Sequence, residues 1–182
     1  MLLSAEGENL ARQLGDMAEL RNIDAVFSAN SARAIGTAKY IAEKNDVEIN
    51  VANEINERPY ANDFLIRDMG KPENRKYAET ESEVLARFNA WFKNLLTQNY
   101  KRVAVCVHAK ILRIYLKSLG YDLDFYERGY EIKHNGKTIY DENKIGNPLL
   151  IKLEFENGKM SKFENIVLDF ALTKHPKWFS GK

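Results

Sequence analysis

Residues 103–116 read VAVCVHAKILRIYL. The first five are apolar and mostly β-branched, a run of the length and kind that forms a buried strand. From Ala109 the pattern becomes that of an amphipathic helix, which runs to Gly120, a residue suited to closing it. His108 stands at the seam, and two readings of it are open. It is either a core histidine that happens to end a strand, or an anion-binding group at the positive end of a helix. In the second case the backbone N–H groups of Ala109 and Lys110 would assist it. Cys106, two residues earlier, falls on the same face of the strand by alternation. A buried free cysteine is common and usually inert.

The same strand-to-helix unit recurs upstream. Residues 4–22 read as a helix, with Ser4 as its cap and Leu10, Leu14, Met17 and Leu20 at helical spacing. DAVFSA (24–29) is a strand, SARAIGTAKYIAEKN (31–45) a helix and EINVAN (48–53) a second strand. Residues 54–78 have no clear period and contain Pro59 and Pro72, so they read as a long irregular segment of the kind that often carries function. Residues 79–99 are the strongest helix, with Val84, Leu85, Phe88, Trp91, Phe92, Leu95 and Leu96 on one broad face. Beyond Gly120 the period falls to two. Asn135-Gly136 and Asn157-Gly158 each predict a hairpin turn. The fold class is therefore α/β, with a mainly parallel sheet covered on both faces and antiparallel C-terminal hairpins adding edge strands.

Bulk properties narrow the function. The chain has 182 residues, a length that predicts one domain over residues 1–182. Its 45% hydrophobic and 29% charged residues suit a globular core, and a net charge of +1 points to neither nucleic acid nor a membrane surface. The single cysteine excludes an intrachain disulfide and a cysteine-based zinc cluster. With no apolar run of membrane-spanning length and no signal-peptide pattern at the start, the expected location is the cytoplasm.

In parallel sheets ligands bind beyond the carboxyl ends of the strands, which selects three places. After the first strand, Arg33 would sit in the first turn of a helix. The helix dipole disfavours a cation there unless an anion is shared with the helix end, and the alternative is an exposed arginine paired to a nearby acid. After the second strand come Glu54 and Glu57. Either is a general acid if burial raises its pKa, or simply a solvated loop carboxylate. After the third comes His108, with Arg113 a turn further on and open to a surface ion pair. An arginine, a glutamate and a histidine at successive strand ends form a cluster suited to a phosphoryl group.

The order of these motifs resembles the histidine phosphatase superfamily, which includes the cofactor-dependent phosphoglycerate mutases. LLSAEGENLARQLG, VFSANSARAIGTAKYIAE, INERPYA, ETESEVLARFNAWF, VAVCVHAKILRIYL and GNPLLIKLEFENGK are similar, in that order, to segments of the family from Leu2 to about residue 165. The resemblance implies a phosphoglycerate mutase-like three-layer α/β/α sandwich. It also implies phosphomonoester hydrolysis or phosphoryl transfer through a phosphohistidine, without a metal, on a small phosphorylated molecule or phosphate. Under it Arg33 is similar to the second phosphate-clamping arginine, Glu57 to the acid–base glutamate and His108 to the second, supporting histidine. Charge developing on phosphoryl oxygens is best met by such preorganised donors.

Two departures qualify this. The family places its nucleophile in an Arg-His-Gly motif on a first strand ahead of the Leu2–Gly7 segment. Here only three residues precede Ser4, a reach of about 11 Å. The expectation is therefore a chain lacking the first, central strand, the nucleophile and the first arginine, as though its start lay beyond them. Such a chain would be inactive as written, a non-catalytic phosphate-binding relative, or a plain α/β interaction domain. Unpaired sheet edges would then favour a homo-oligomer. The second departure is Ala109-Lys110 where the family usually has glycine after the histidine. Of the remaining histidines, His134 precedes a hairpin turn and is expected to be exposed. His175, in TKHPKW, only faintly echoes a nucleophile motif.

Overall fold

The computed structural model describes residues 2–57, 79–126, 129–142 and 148–171. Three strands, β1 (Ala25–Ala29), β2 (Ile49–Ala52) and β3 (Val103–Cys106), form a parallel sheet in the order β2-β1-β3. Val26 is level with Ile49 on one side and Ala104 on the other. Because β1 is central, it is buried on both faces, and Val26, Ser28 and Ala29 are fully enclosed. The Ser28 hydroxyl donates to the Ala29 carbonyl at 2.9 Å, which satisfies a polar group that water cannot reach.

Helices α1 (Ala5–Gly15) and α2 (Ala32–Asn45) cover one face of this sheet, through Leu14, Ala38 and Ile41 packed against Val26 and Ala104. Helices α3 (Glu81–Thr97) and α4 (Ala109–Ser118) supply the other layer, where Val84, Phe88, Ile111, Ile114 and Tyr115 meet Ala29 and Ile55. The cap expected at Ser4 is present, and the structure adds another at Thr80. Ser4 accepts from Gly7 N at 3.1 Å, and Thr80 with Glu83 forms a reciprocal box at the start of α3.

The first helix is shorter than its periodicity predicts. It stops at Gly15, and only one 3₁₀ turn, Ala18–Leu20, follows. Arg21 explains the stop. Its guanidinium donates to the carbonyls of Gly15 at 2.6 Å and Asp16 at 3.0 Å, acceptors that a continuing helix would have used. Gly15 also lets α1 approach α2 closely, since a Cβ there would lie 2.7 Å from Cβ of Tyr40.

Beyond α4 the chain forms β4 (Tyr121–Tyr126), β5 (Gly129–His134), β6 (Lys137–Glu142), β7 (Leu150–Glu156) and β8 (Lys159–Ile166). Both predicted turns are in place, with Asn135 and Gly136 at φ 50° and 75° and Asn157 and Gly158 at 52° and 75°. The strand β4 was not singled out in the sequence, although Tyr121, Leu123 and Phe125 alternate with Asp122 and Asp124 at the period of a half-buried strand. The hairpins also differ from expectation in their attachment: among the described residues they do not pair with the parallel sheet. They form an antiparallel sheet in the order β4-β5-β6 and a separate β7-β8 pair. Face-to-face packing accounts for this. Leu123, Tyr130 and Ile132 cover Leu116 of α4, and Tyr121 stacks on Phe163 at 4.4 Å between ring centroids. His134 is half-buried rather than exposed, stacked on Tyr121 at 4.2 Å with its Nδ1 3.1 Å from the Gly120 carbonyl.

Among the described residues, β3 pairs with β1 alone, so its outer backbone edge carries no ladder. Such an edge favours pairing with another chain. Residues 1–182 are therefore expected to elute, in light-scattering chromatography at rising concentration, as species larger than a monomer. A monodisperse monomer across the range would contradict this.

Candidate functional site

Three chain segments meet at the carboxyl ends of the parallel strands. After β1, Ser31 caps α2 and places Arg33 in its first turn. After β2, one 3₁₀ turn, Asn53–Ile55, leads to Asn56 and Glu57. After β3, His108 is the cap residue of α4, with extended backbone at φ −85° and ψ 145°. Strand alternation ends at these points and two helices begin. The first N–H groups of α2 and α4, which have no partner within their helices, therefore open toward neighbouring space.

These segments bring together Arg33, Glu57 and His108, which the sequence offered as candidates, and Ser31, which it did not. Arg33 Nη2 donates to Glu57 Oε2 at 2.7 Å. Its Nε and Nη2 lie 3.3 and 3.0 Å from Nδ1 of His108. On the other side of the ring, Nε2 is 3.1 Å from the Ser31 hydroxyl. Glu57 Oε2 is 3.7 Å from His108 Nδ1. Arg33 thus pairs with an acid, as its plainer reading required, yet that acid is Glu57 and the pair lies against His108. Ala109 follows His108 as the first residue of α4.

These contacts specify the histidine tautomer. A guanidinium only donates, so Nδ1 facing it must be the accepting, unprotonated nitrogen. The proton of the neutral ring is then on Nε2, directed at the Ser31 oxygen. The pKa of His108 is lowered from its usual value, chiefly by burial. The Arg33 charge acts in the same direction, and the Glu57 carboxylate opposes both. The free site therefore holds a neutral imidazole and one guanidinium, with Glu57 occupying donors that an external anion would otherwise use.

Ser31, the Asn56 brace and Arg87 were not singled out in the sequence. Asn56 Oδ1 accepts from Asn30 N at 2.6 Å and ties the Glu57 segment to the start of α2. Ser31 was visible only as a helix cap. Arg87 had a sequence signal, a lone cation on the apolar stripe between Val84 and Trp91. Two other groups lie apart from this chemistry. Arg113 makes a loose surface pair with Glu81 at 3.9 Å. Burial of its sulfur pushes the Cys106 thiol up to about 12, so it is not a nucleophile at neutral pH. His175 lies outside the described residues.

No curated protein sequence matches the chain. Solved structures do. A mycobacterial glucosyl-3-phosphoglycerate phosphatase in complex with inorganic phosphate aligns over 94% of this chain and 89% of its own, at TM-score 0.60 and 14% identity. The structure of that phosphatase with VO3 aligns over 91% and 86%, at TM-score 0.57 and 14% identity. The alpha-ribazole phosphatase of Shigella flexneri aligns over 79% and 86%, at TM-score 0.54 and 15% identity. These likenesses concern the fold. The sequence model of the histidine phosphatase superfamily, branch 1, matches residues 1–140. With the parallel sheet and the cluster at its strand ends, that match establishes that the chain belongs to the histidine phosphatase superfamily.

Proposed function

We propose that this chain binds the phosphoryl group of a small phosphorylated molecule at Arg33, His108 and the backbone N–H of Ala109, with Ser31 orienting the imidazole. Glu57 serves as the proton donor to a leaving group wherever the complete family chemistry, phosphomonoester hydrolysis or phosphoryl transfer, is available. Residues 1–182 contain three histidines and no Arg-His-Gly sequence. For this polypeptide the reading is therefore phosphate binding without turnover through a phosphohistidine at the family's usual position. One observation carries it: side chains from three separate strand ends converge within hydrogen-bonding distance on one point beside two helix N-termini. The phosphate and VO3 complexes of the mycobacterial phosphatase are consistent support.

Calorimetry with inorganic phosphate and vanadate, alongside incubation with a labelled phosphomonoester, tests the proposal. Saturable binding and no acid-labile protein label are expected. Absence of binding overturns the proposal. So does acid-labile label that is lost only in His108→Ala, which would make His108 the nucleophile.

The free-state contacts also predict how binding varies. Glu57→Gln removes a carboxylate that competes for Arg33, so phosphate should bind up to about tenfold more tightly, a gain of about 1.4 kcal/mol. Proton linkage can be read with sulfate, which stays a dianion across the working range. Its binding beside His108 favours the imidazolium, so the bound pKa rises above the free one. Affinity should then increase as pH falls through the bound value and level off below the free value, which lies under 6.5. A pH-independent sulfate affinity would place the anion away from His108.

A further inference from the structure

We infer that Arg87 is a positioning residue: its guanidinium clasps the backbone after β2 to the start of α3 and thereby holds the Glu57 carboxyl against Arg33 and His108. The role of Glu57 in this statement rests on the proposed phosphoryl-binding function; the placement of Glu57 does not.

Arg87 reaches from the second turn of α3 across to the Asn53–Glu57 segment. Nε and Nη2 make a bidentate pair with Glu79, at 2.7 and 2.9 Å. Nη2 also donates to the Asn56 carbonyl at 2.8 Å, and Nη1 to the Glu54 carbonyl. These two acceptors lie one residue and three residues before Glu57, in backbone that, among the described residues, has no sheet partner. Only an arginine supplies this set. Its planar fork presents donors in three directions, whereas a lysine ammonium is a single point on a flexible stem.

The clasp is better enclosed than the pair it serves. The side chains of Arg87 and Glu79 are 20% and 16% exposed, against 46% and 44% for Arg33 and Glu57. A cation on the apolar stripe of a helix is unfavourable unless its donors are satisfied, and here the Glu79 carboxylate and two carbonyls satisfy them. The clasp also ties the backbone just after β2 to Glu79, just ahead of α3. Ile55, fully buried, and the Asn56–Asn30 bond fix the segment from within. Arg87 fixes it from α3, so the backbone preceding Glu57 has little freedom left.

The readout is the titration of His108, followed by NMR in the full chain without ligand. The charged groups facing its ring are Arg33 from α2 and Glu57 from the loop after β2, and Lys110 lies on its own helix. Glu57 holds the midpoint up, so Glu57→Gln should lower it. Arg87→Met should lower it in the same direction, and the double variant should match Glu57→Gln alone, because the two act through one carboxylate. Arg87→Lys should fall between wild type and Arg87→Met. A merely structural arginine would lower the unfolding temperature and leave the His108 midpoint unmoved. That result, in a variant that folds, overturns the inference. If Arg87→Met does not fold, Arg87→Lys and Glu79→Gln are read by the same criterion.

Phosphate calorimetry on the same proteins separates the two claims. Arg87→Met should shift phosphate affinity in the direction that Glu57→Gln shifts it. If wild type binds no phosphate while the midpoints move as expected, the functional proposal fails and the clasp stands. If phosphate binds but the midpoints do not move, the clasp fails alone.

Discussion

Arg33→Ala is expected to weaken inorganic phosphate binding by about a hundredfold while leaving stability nearly unchanged. Hydrogen bonds to charged groups contribute about 1.5–3 kcal/mol each, and a loss of about 2.7 kcal/mol is a hundredfold in affinity. Arg33 is the cation nearest the proposed site, and it already makes one charge-assisted bond there, to Glu57 at 2.7 Å. Removing it also leaves the Glu57 carboxylate unneutralised beside the incoming anion. The effect on folding is different in size. The Arg33–Glu57 pair is 46% and 44% exposed, and pairs this open contribute only about 0–1 kcal/mol. Arg33→Lys should retain part of the affinity, since it keeps the charge but not the fork. Calorimetry beside a thermal melt checks both halves. A variant that binds phosphate as wild type does would remove Arg33 from the site.

Ile55→Ala should cost about 2–5 kcal/mol of folding stability, the range for truncating a large buried aliphatic side chain. Ile55 is fully buried and belongs to the cluster in which α3 and α4 meet the end of β1. The walls of its pocket are α-helices and a central strand, which cannot collapse far into the space left behind. Against a total stability of about 5–15 kcal/mol, the loss is large. It should appear in urea unfolding as a lower midpoint with an unchanged slope. Ile139→Ala is the matched control, because that side chain is 49% exposed and should shift stability by less than about 0.5 kcal/mol. Ile55 lies two residues before Glu57, so phosphate affinity and the His108 midpoint in this variant also measure how much of the site depends on that anchor. An Ile55→Ala protein as stable as wild type would mean that the packing around the Glu57 segment is not as described.

Sequence periodicity was most informative where one face of an element is buried. The strand-to-helix seam at His108, the two Asn-Gly turns and the apolar stripe of α3 apart from Leu96, which is exposed, lie as anticipated, because each depends on contacts or dihedral angles local to a few residues. It was least informative where a distant side chain decides. Periodicity carried α1 past Gly15, while Arg21 ends it there by taking the carbonyls. The alternation of Tyr121, Leu123 and Phe125 with Asp122 and Asp124 suits a strand, but that Leu123 is buried on α4 was decided by the tertiary fold. His134 gained its cover from Tyr121 across the β4–β5 ladder.

The site divides in the same way. Residue types and their order along the chain brought Arg33, His108 and the pair Glu54 and Glu57 forward as candidates, because helix caps and strand ends are written locally, and the resemblance to the family chose Glu57. The tertiary structure alone decided three further things. It placed Glu57 on Arg33, and it set the unprotonated Nδ1 of His108 toward the guanidinium. It also spent an arginine of α3 on holding the loop between them. These are interactions between residues 24 to 75 positions apart. Their strength depends on burial and on angles that exist only after the sheet has formed, and one sequence read along its length contains neither.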